Sequence, residues 1–594
     1  MGWPPQWLRD PKTGTRASSR YGLSIPVTDR RAVGDIKYLW EPSRHHDLVV
    51  VAQAWAATRD VRYLEALVTL LDSWIEQNPH PLGPHWSSSL EAAIRLINWS
   101  LAWHLAGGAD AASEFNARYP ELARRWRDAV YWHVRFVRDN LSAHSSANNH
   151  LIGELAGLVV GLCTWPSWRS MRGWAAEALE RLRQQAGEQI TEDGVHREQA
   201  VAYQVFVWEF LHAAGRCAQA NGHEPGPAYW RRLEAMADFV AALTDAGGHL
   251  PCIGDADDGA ACGVFVGAVP AWMSLLATAA LAFERGDLAR AAAGADARTV
   301  FWHGADSGDR LGALRRRGTV PPLPRAFPSG GYVVFGDRAH QPDEVRAVFD
   351  IGALGYLSIA AHGHADALSL HLSVGGRPVL VDPGTYCYHG PIEWREHFRS
   401  TAAHNTVEVD GLSSSRSGGR FMWVRHARVR DAHVALEGPL QKAGAAHDGY
   451  AALARGSVIH RREVCFDGAA NVLEVVDTLT GRGRHDLALR WQLAPSVAAR
   501  FSGSTCELAL DDDVRLRLVL PAELAWTLRN AVEASAQAWV SPGYEQRTGA
   551  IQLVGLAQDC PLPSRLVTRM EIARRSDHAP DAGTWECAMA QESQ

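Results

Sequence analysis

The stretch Ala361–Tyr388, AHGHADALSLHLSVGGRPVLVDPGTYCY, sets His362 and His364 two residues apart, with Asp366 and Asp382 downstream. Imidazoles beside a carboxylate suit zinc or another divalent ion. The same groups can also move protons, or simply hydrogen-bond across turns. With an extended backbone His362 and His364 have the same strand parity and turn both side chains to one site. His404 opens HNTVEV just ahead of another candidate strand. Arg395 and Arg399, in WREHFRSTAAHN, approach the same region, either to attract a polyanion or to pair with carboxylates on a solvated face.

A second polar cluster, SSANNHLIGE, lies some two hundred residues earlier, at Ser145–Glu154. One Ser or Asn suffices to cap the helix that follows, so the remaining polar residues point to a cleft. Asn149 can donate to a carboxylate without adding a competing charge, and His150 can donate too. Glu154, one helical turn on, is placed to orient His150. Between the two clusters sits Tyr203, in REQAVAYQVFVWEF. A phenol has a pKa of about 10 in water. In a cleft its proton can pass to a leaving oxygen, or the ionised form can take one. Packing alone also accounts for a helical tyrosine.

These residues need elements to hold them, and the hydrophobic period changes along the chain. From about residue 45 to 290 apolar residues recur at three and four, as in Leu64, Leu67, Leu71 and Trp74. This predicts successive helices, among them 122–136, 151–162, 171–182, 199–214, 230–243 and 270–280. After about residue 325 short alternating β-branched runs predict strands, including 331–335, 345–349, 367–372, 406–409, 427–434, 457–464, 472–476, 488–493, 514–520, 552–556 and 566–572. The reading is an α+β multidomain chain: a helical domain over 1–311, a linker over 312–330 with three arginines and PPLPRAFPSG, and antiparallel β layers over 331–594.

The totals narrow the class. At 594 residues the chain exceeds one core, and 47% apolar with 21% charged residues fits a globular protein. A net charge of −7 argues against a general nucleic-acid binder, while leaving room for a local basic cleft. Nine cysteines, an odd count with no CxxC pair, argue against a disulfide framework or a thiolate zinc site. The opening MGWPPQWLRDPKTG lacks the apolar core and cleavage site of a signal peptide, and no run is long enough to span a membrane. The chain as it stands therefore reads as cytoplasmic, or as periplasmic or secreted where a leader has been removed.

The pieces NNHLIGE, EDGVHREQAVAYQ, PCIGDADDG, HGHAD…VDPGTYCY and STAAHNTVEVDG, in this order and spacing, resemble the heparinase II/III-like polysaccharide lyases, a family that takes in heparinases and oligoalginate lyases. The resemblance covers most of the chain. It implies an incomplete (α/α) toroid joined to antiparallel β-sandwich layers, with the active cleft between them. It further implies β-elimination in a uronic-acid-containing polysaccharide or oligosaccharide. Asn149 and His150 would neutralise the uronate carboxylate, Tyr203 would be the catalytic tyrosine, and His362 the base or its partner. His364, Asp382 and His404 would hold a structural divalent metal, zinc by its two imidazoles or calcium as in some relatives, with no organic cofactor. The same resemblance places Trp86, Glu91 and Arg95 of GPHWSSSLEAAIR along the cleft; Glu154, Arg399 and Tyr388, or Tyr386 in its place, are further candidate substrate contacts. Gln204 departs from the pattern, which often has a histidine after the tyrosine, so the base stays open between His362 and ionised Tyr203. Two other classes compete: a glycoside hydrolase, drawing on Glu154, Glu198, Asp255 or Asp257, and a non-catalytic polysaccharide-binding protein.

Overall fold

The computed structural model describes residues 2–264, 269–502, 504–510 and 514–573. Cys587 and the end of the expected β domain lie outside the described residues.

Helices apolar all round belong inside a stack, and amphipathic ones outside it. Ser89–Ala106, Asn149–Thr164, Val201–Ala220 and Ala271–Ala282 are buried along almost their whole length. Val61–Gln77, Pro120–Asp139 and Trp174–Gln189 bury one stripe each and cover the inner set. A Cβ at Gly157 would lie 2.6 Å from Ala93, so glycine there lets the helices 149–164 and 89–106 approach backbone to backbone. One apolar core runs through this toroid. Among the described residues no helix is long and apolar enough to cross a membrane.

The β half contains a five-stranded meander, Arg325–Phe327, Tyr332–Asp337, Val345–Asp350, Leu370–Val374 and Arg377–Leu380, paired in chain order. Antiparallel sheets of eight and four strands stack with it around a shared core. Strand Val458–Asp467 alternates buried and half-buried residues without a break, as a strand with one face on the core must. The toroid and the meander are joined by an apolar seam, where Phe239 packs its ring 5.0 Å from Phe327 and 5.3 Å from Tyr332.

Two expectations change. The span 312–330 is not one linker: 312–317 complete the helix Ser307–Arg317, whose last turn carries the three arginines, and the first strand already opens at Arg325. Basic residues are favourable at a helix C-terminus, which gives this run a local reason to be helical. Second, His362 and His364 lie in an irregular loop, not on a strand.

Candidate active site

The site forms where the N-terminal ends of two inner helices meet the loop before strand Leu370–Val374. Asn148 caps the helix Asn149–Thr164 by accepting from the His150 amide at 3.1 Å. This turns the buried Asn149 side chain toward Glu198, and its Nδ2 donates to Glu198 Oε2 at 2.8 Å. Glu198 Oε1 in turn lies 3.9 Å from His362 Nε2. Tyr203, in the first turn of the helix Val201–Ala220, stacks its ring on His362 with centroids 4.0 Å apart, and its hydroxyl lies 3.0 Å from that of Tyr388. Asn149, Tyr203, His362 and Tyr388 thus meet in one cluster, with Glu198 at its centre.

Burial governs the charges here. It pushes the Tyr203 phenol well above its ordinary range, reinforced by the Asp257 and Asp255 carboxylates, so Tyr203 holds its proton. Burial also raises the Glu198 carboxyl, against the pull of His362 and the Asn149 amide. For His150, burial and then the charge of His362 lower the imidazole to about 4, so it is neutral at pH 7. His362 is pulled down by burial but raised overall by Glu198 and Asp255.

Asp255 fixes His362 from behind. Its Oδ2 lies 3.0 Å from His362 Nδ1, and its Oδ1 3.0 Å from His364 Nε2. Arg395 pairs with both oxygens, and Asp255 is 0% exposed. Burial alone would raise this carboxyl; Arg395 and the two imidazoles overcome that and hold it well below the usual carboxylate range. An ionised carboxylate only accepts, so His362 Nδ1 and His364 Nε2 carry the ring protons.

That tautomer bears on the metal candidates. His364 Nδ1 is left with a lone pair, and it lies 3.3 Å from His404 Nε2. His404 donates its Nδ1 proton to Ser400 O at 2.7 Å, so its Nε2 also presents a lone pair. Asp382 Oδ2 lies 3.5 Å from His404 Nε2 and 3.6 Å from the buried His371 Nε2, beyond hydrogen-bond range of either. The three buried ligand atoms lie within 4.8 Å of one another. Lone pairs converging without a proton between them fit a cation, and each histidine has the outer hydrogen bond that metal-bound imidazoles normally make.

Other expected contacts are placed elsewhere. Glu154 does not orient His150: it is buried under Ser142 and Ser89, whose hydroxyls donate to it at 2.7 and 2.5 Å. Glu91 and Arg95 do not pair. Glu91 takes a two-pronged contact from Arg44, at 2.9 and 2.7 Å, while Arg95 donates to His133 Nε2 and His85 O. Trp86 is 2% exposed and packs on His133. Arg399 is likewise buried, donating to Gly419 O and Arg420 O at 2.7 Å over the Trp423 ring, which clamps the hairpin 416–425. Gln204 bonds Gly194 O and the His196 amide, securing the turn before Tyr203. Glu198 and Asp255 were visible only as spare carboxylates for hydrolysis. Of the candidates for that chemistry, Glu154 and Asp255 are fully engaged.

The fold is shared with solved structures. A heparinase III gene product superposes with a TM-score of 0.65 at 18% identity, covering 92% of this chain and 81% of its own. Heparan sulfate lyase HepC of Pedobacter heparinus gives 0.62 at 17%, covering 91% and 77%. By sequence, a heparin-sulfate lyase of Bacteroides thetaiotaomicron is 22% identical over 201 residues, a stretch that spans 31% of this chain and 26% of that protein. Residues 18–275 match the model for the heparinase II/III N-terminus, and 319–571 the model for the heparinase II/III-like C-terminal region. The chain belongs to the heparinase II/III-like family of polysaccharide lyases.

Proposed function

We propose that this chain cleaves a uronic-acid-containing polysaccharide by β-elimination, leaving an unsaturated uronate end. The observation that carries this reading is the stack of the Tyr203 phenol on His362, facing Asn149 and Glu198 across the seam.

The uronate carboxylate docks on the Asn149 amide and the neutral His150 imidazole. Both strengthen their hold as charge moves onto the carboxylate in the transition state. The unprotonated form of His362, its Nδ1 proton anchored on Asp255, takes the C5 proton at Nε2; because Glu198 and Asp255 raise this imidazole, that form gains as pH rises. The C5–H electrons form the C4–C5 double bond as the C4–O bond breaks. Tyr203 gives its proton to the leaving oxygen, and Tyr388, hydroxyl to hydroxyl with it, is placed to restore that proton. No water is consumed. On this reading His362 is the base and Tyr203 the acid, a choice supported by the burial that favours the protonated phenol.

Asp382, His364 and His404 would hold the metal, and two imidazoles with one carboxylate favour zinc over calcium. The metal would bind the loop carrying His362 and leave proton transfer to the side chains. Elemental analysis after purification tests its identity.

A panel of uronate polymers, read by unsaturated ends and product mass, tests the reaction. Unsaturated products support elimination; saturated products one water heavier would replace it with hydrolysis.

A further inference from the structure

Beside the catalytic cluster lies a cavity of about 480 Å3 that the proposed chemistry does not use. It opens between the turn 191–199 of the toroid and two loops of the meander, 328–331 and 351–356. Its volume falls within the ~300–1,000 Å3 typical of small-molecule sites.

Its wall is prebuilt. Asp193 Oδ2 accepts from the Ser329 and Gly330 amides at 2.7 and 3.2 Å, tying the toroid turn to the first loop. Asp350 Oδ1 accepts from the Gly352 amide at 2.7 Å and shapes the second. Gln199 is 8% exposed and donates its Nε2 to Gly330 O at 3.1 Å. That bond fixes the amide so that Oε1 is left as an acceptor, and among the described residues nothing donates to it. A buried acceptor without a donor is costly, and a ligand hydroxyl entering the cavity supplies one.

Two charged groups line the cavity, Arg197 and Glu188. Arg197 Nε donates to Glu188 O at 2.9 Å, which holds the guanidinium at the rim. Among the described residues no carboxylate pairs with Arg197. Glu188, which also lines the cavity, has both oxygens occupied by the Gln184 and Gln185 amides at 2.7 Å. Tyr356 adds a half-buried aromatic wall. Gln199 directly follows Glu198, the partner of Asn149, and Leu354 in the second loop packs against Gly363 beside His362, so the cavity adjoins the catalytic cluster.

We infer that this cavity is a subsite for the sugar next to the cleaved uronate, with Gln199 Oε1 accepting a hydroxyl and Arg197 binding an anionic substituent, a carboxylate or a sulfate. The inference rests on the proposed lyase reading for its substrate class, but binding tests it separately.

Tetrasaccharides of heparosan, chondroitin, hyaluronan, mannuronate and guluronate, with sulfated forms of the first two, are titrated calorimetrically into Tyr203→Phe and into Tyr203→Phe/Arg197→Gln. At least one binds, and loss of the guanidinium raises its Kd roughly tenfold, the lower end for a hydrogen bond to a charged group. Arg197→Lys recovers part of that loss. A larger loss on the sulfated form assigns the group to sulfate; equal losses assign it to carboxylate. In the otherwise unchanged enzyme Arg197→Gln raises KM and leaves kcat near its starting value. No binding by any probe, or a Kd unchanged by Arg197→Gln, overturns the subsite. Turnover to unsaturated ends with Kd unchanged sinks the subsite alone. A tenfold loss in binding with no unsaturated product from the unmutated protein keeps the subsite and sinks the lyase reading.

Discussion

Two parts of the site treat buried polar atoms differently. On the toroid rim, Asn149 Oδ1, Glu198 Oε1 and Gln199 Oε1 are buried and lack hydrogen-bond partners among the described residues. Behind His362, Asp255 has both oxygens engaged, by two imidazoles and the Arg395 guanidinium. Orphaned buried polar atoms are destabilising, and a folded chain tolerates them where a ligand completes them. A closed ionic knot has nothing left to bind, and its role is to hold direction. On the proposed reading the rim meets the substrate and the knot keeps His362 aimed at it. The triad of His364, Asp382 and His404 shares this trait at one atom, since Asp382 Oδ2 also lacks a hydrogen-bond partner among the described residues.

This contrast breaks if the rim proves structural or the knot proves dispensable. The largest expected effect is at the rim. Tyr203→Phe removes one hydroxyl and its bond to Tyr388, and should lower kcat about 10²–10⁴-fold, the usual worth of a positioned acid, with Tm nearly unchanged. Full turnover by this variant, measured by unsaturated ends, ends the mechanism. In the knot the larger loss should be in stability. Arg395→Ala leaves Asp255 with its strongest counter-charge gone, and unpairing a buried ion costs roughly 3–5 kcal/mol. Denaturant unfolding measures it; a change within about 0.5 kcal/mol would mean that Asp255 is not held by charge. Between these lies the metal triad. His364→Ala, or treatment with a chelator, should remove the metal and lower Tm, because binding to the folded state alone stabilises it. Metal content and melting curves are read together, and an unchanged content in His364→Ala refutes the ligand assignment.

The same contrast explains what could be read in advance. The elements were legible because their cause is local: the alternation in Val472–Gly481 and the all-round apolar helix Ala271–Ala282 are visible residue by residue. The imidazoles, Tyr203 and Asn149 were legible because few residue types do that chemistry. The knot was not, since Asp255 meets His362 across 107 positions and Arg395 across 140, with nothing in either segment naming the other. Arg95, Glu91 and Arg399 were misread for a related reason. The resemblance set Glu91 and Arg95 along the cleft, and only the packed structure shows the guanidinium, the carbonyl and the indole that hold these charged groups inside. His362 and His364 converge although their backbone is irregular, because a shared carboxylate aligns them in place of strand parity.

The smallest effect sharpens the comparison most. Glu198 is the one rim carboxylate between Asn149 and His362, and burial is the chief cause of its raised pKa above 4.5. A carboxyl whose pKa rises on folding binds its proton more tightly in the folded state. Its contribution therefore favours folding at low pH and is lost as pH climbs from about 4.5 through the raised value. Glu198→Gln keeps the shape and the acceptor for Asn149 but never ionises. Below pH 4.5 the two proteins should be about equally stable; at neutral pH the variant should be the more stable. Its turnover should nevertheless fall, since the charge that supports protonated His362 after it takes the C5 proton is gone. At Asp255 the sign is opposite: its depressed carboxyl stabilises the fold above the ordinary carboxylate range and loses that contribution as pH falls, so Asp255→Asn should be the less stable at neutral pH. Melting curves of Glu198→Gln and Asp255→Asn against pH, set beside the unmutated protein, decide it. If both differences run the same way, the division between an open rim and a closed knot does not hold.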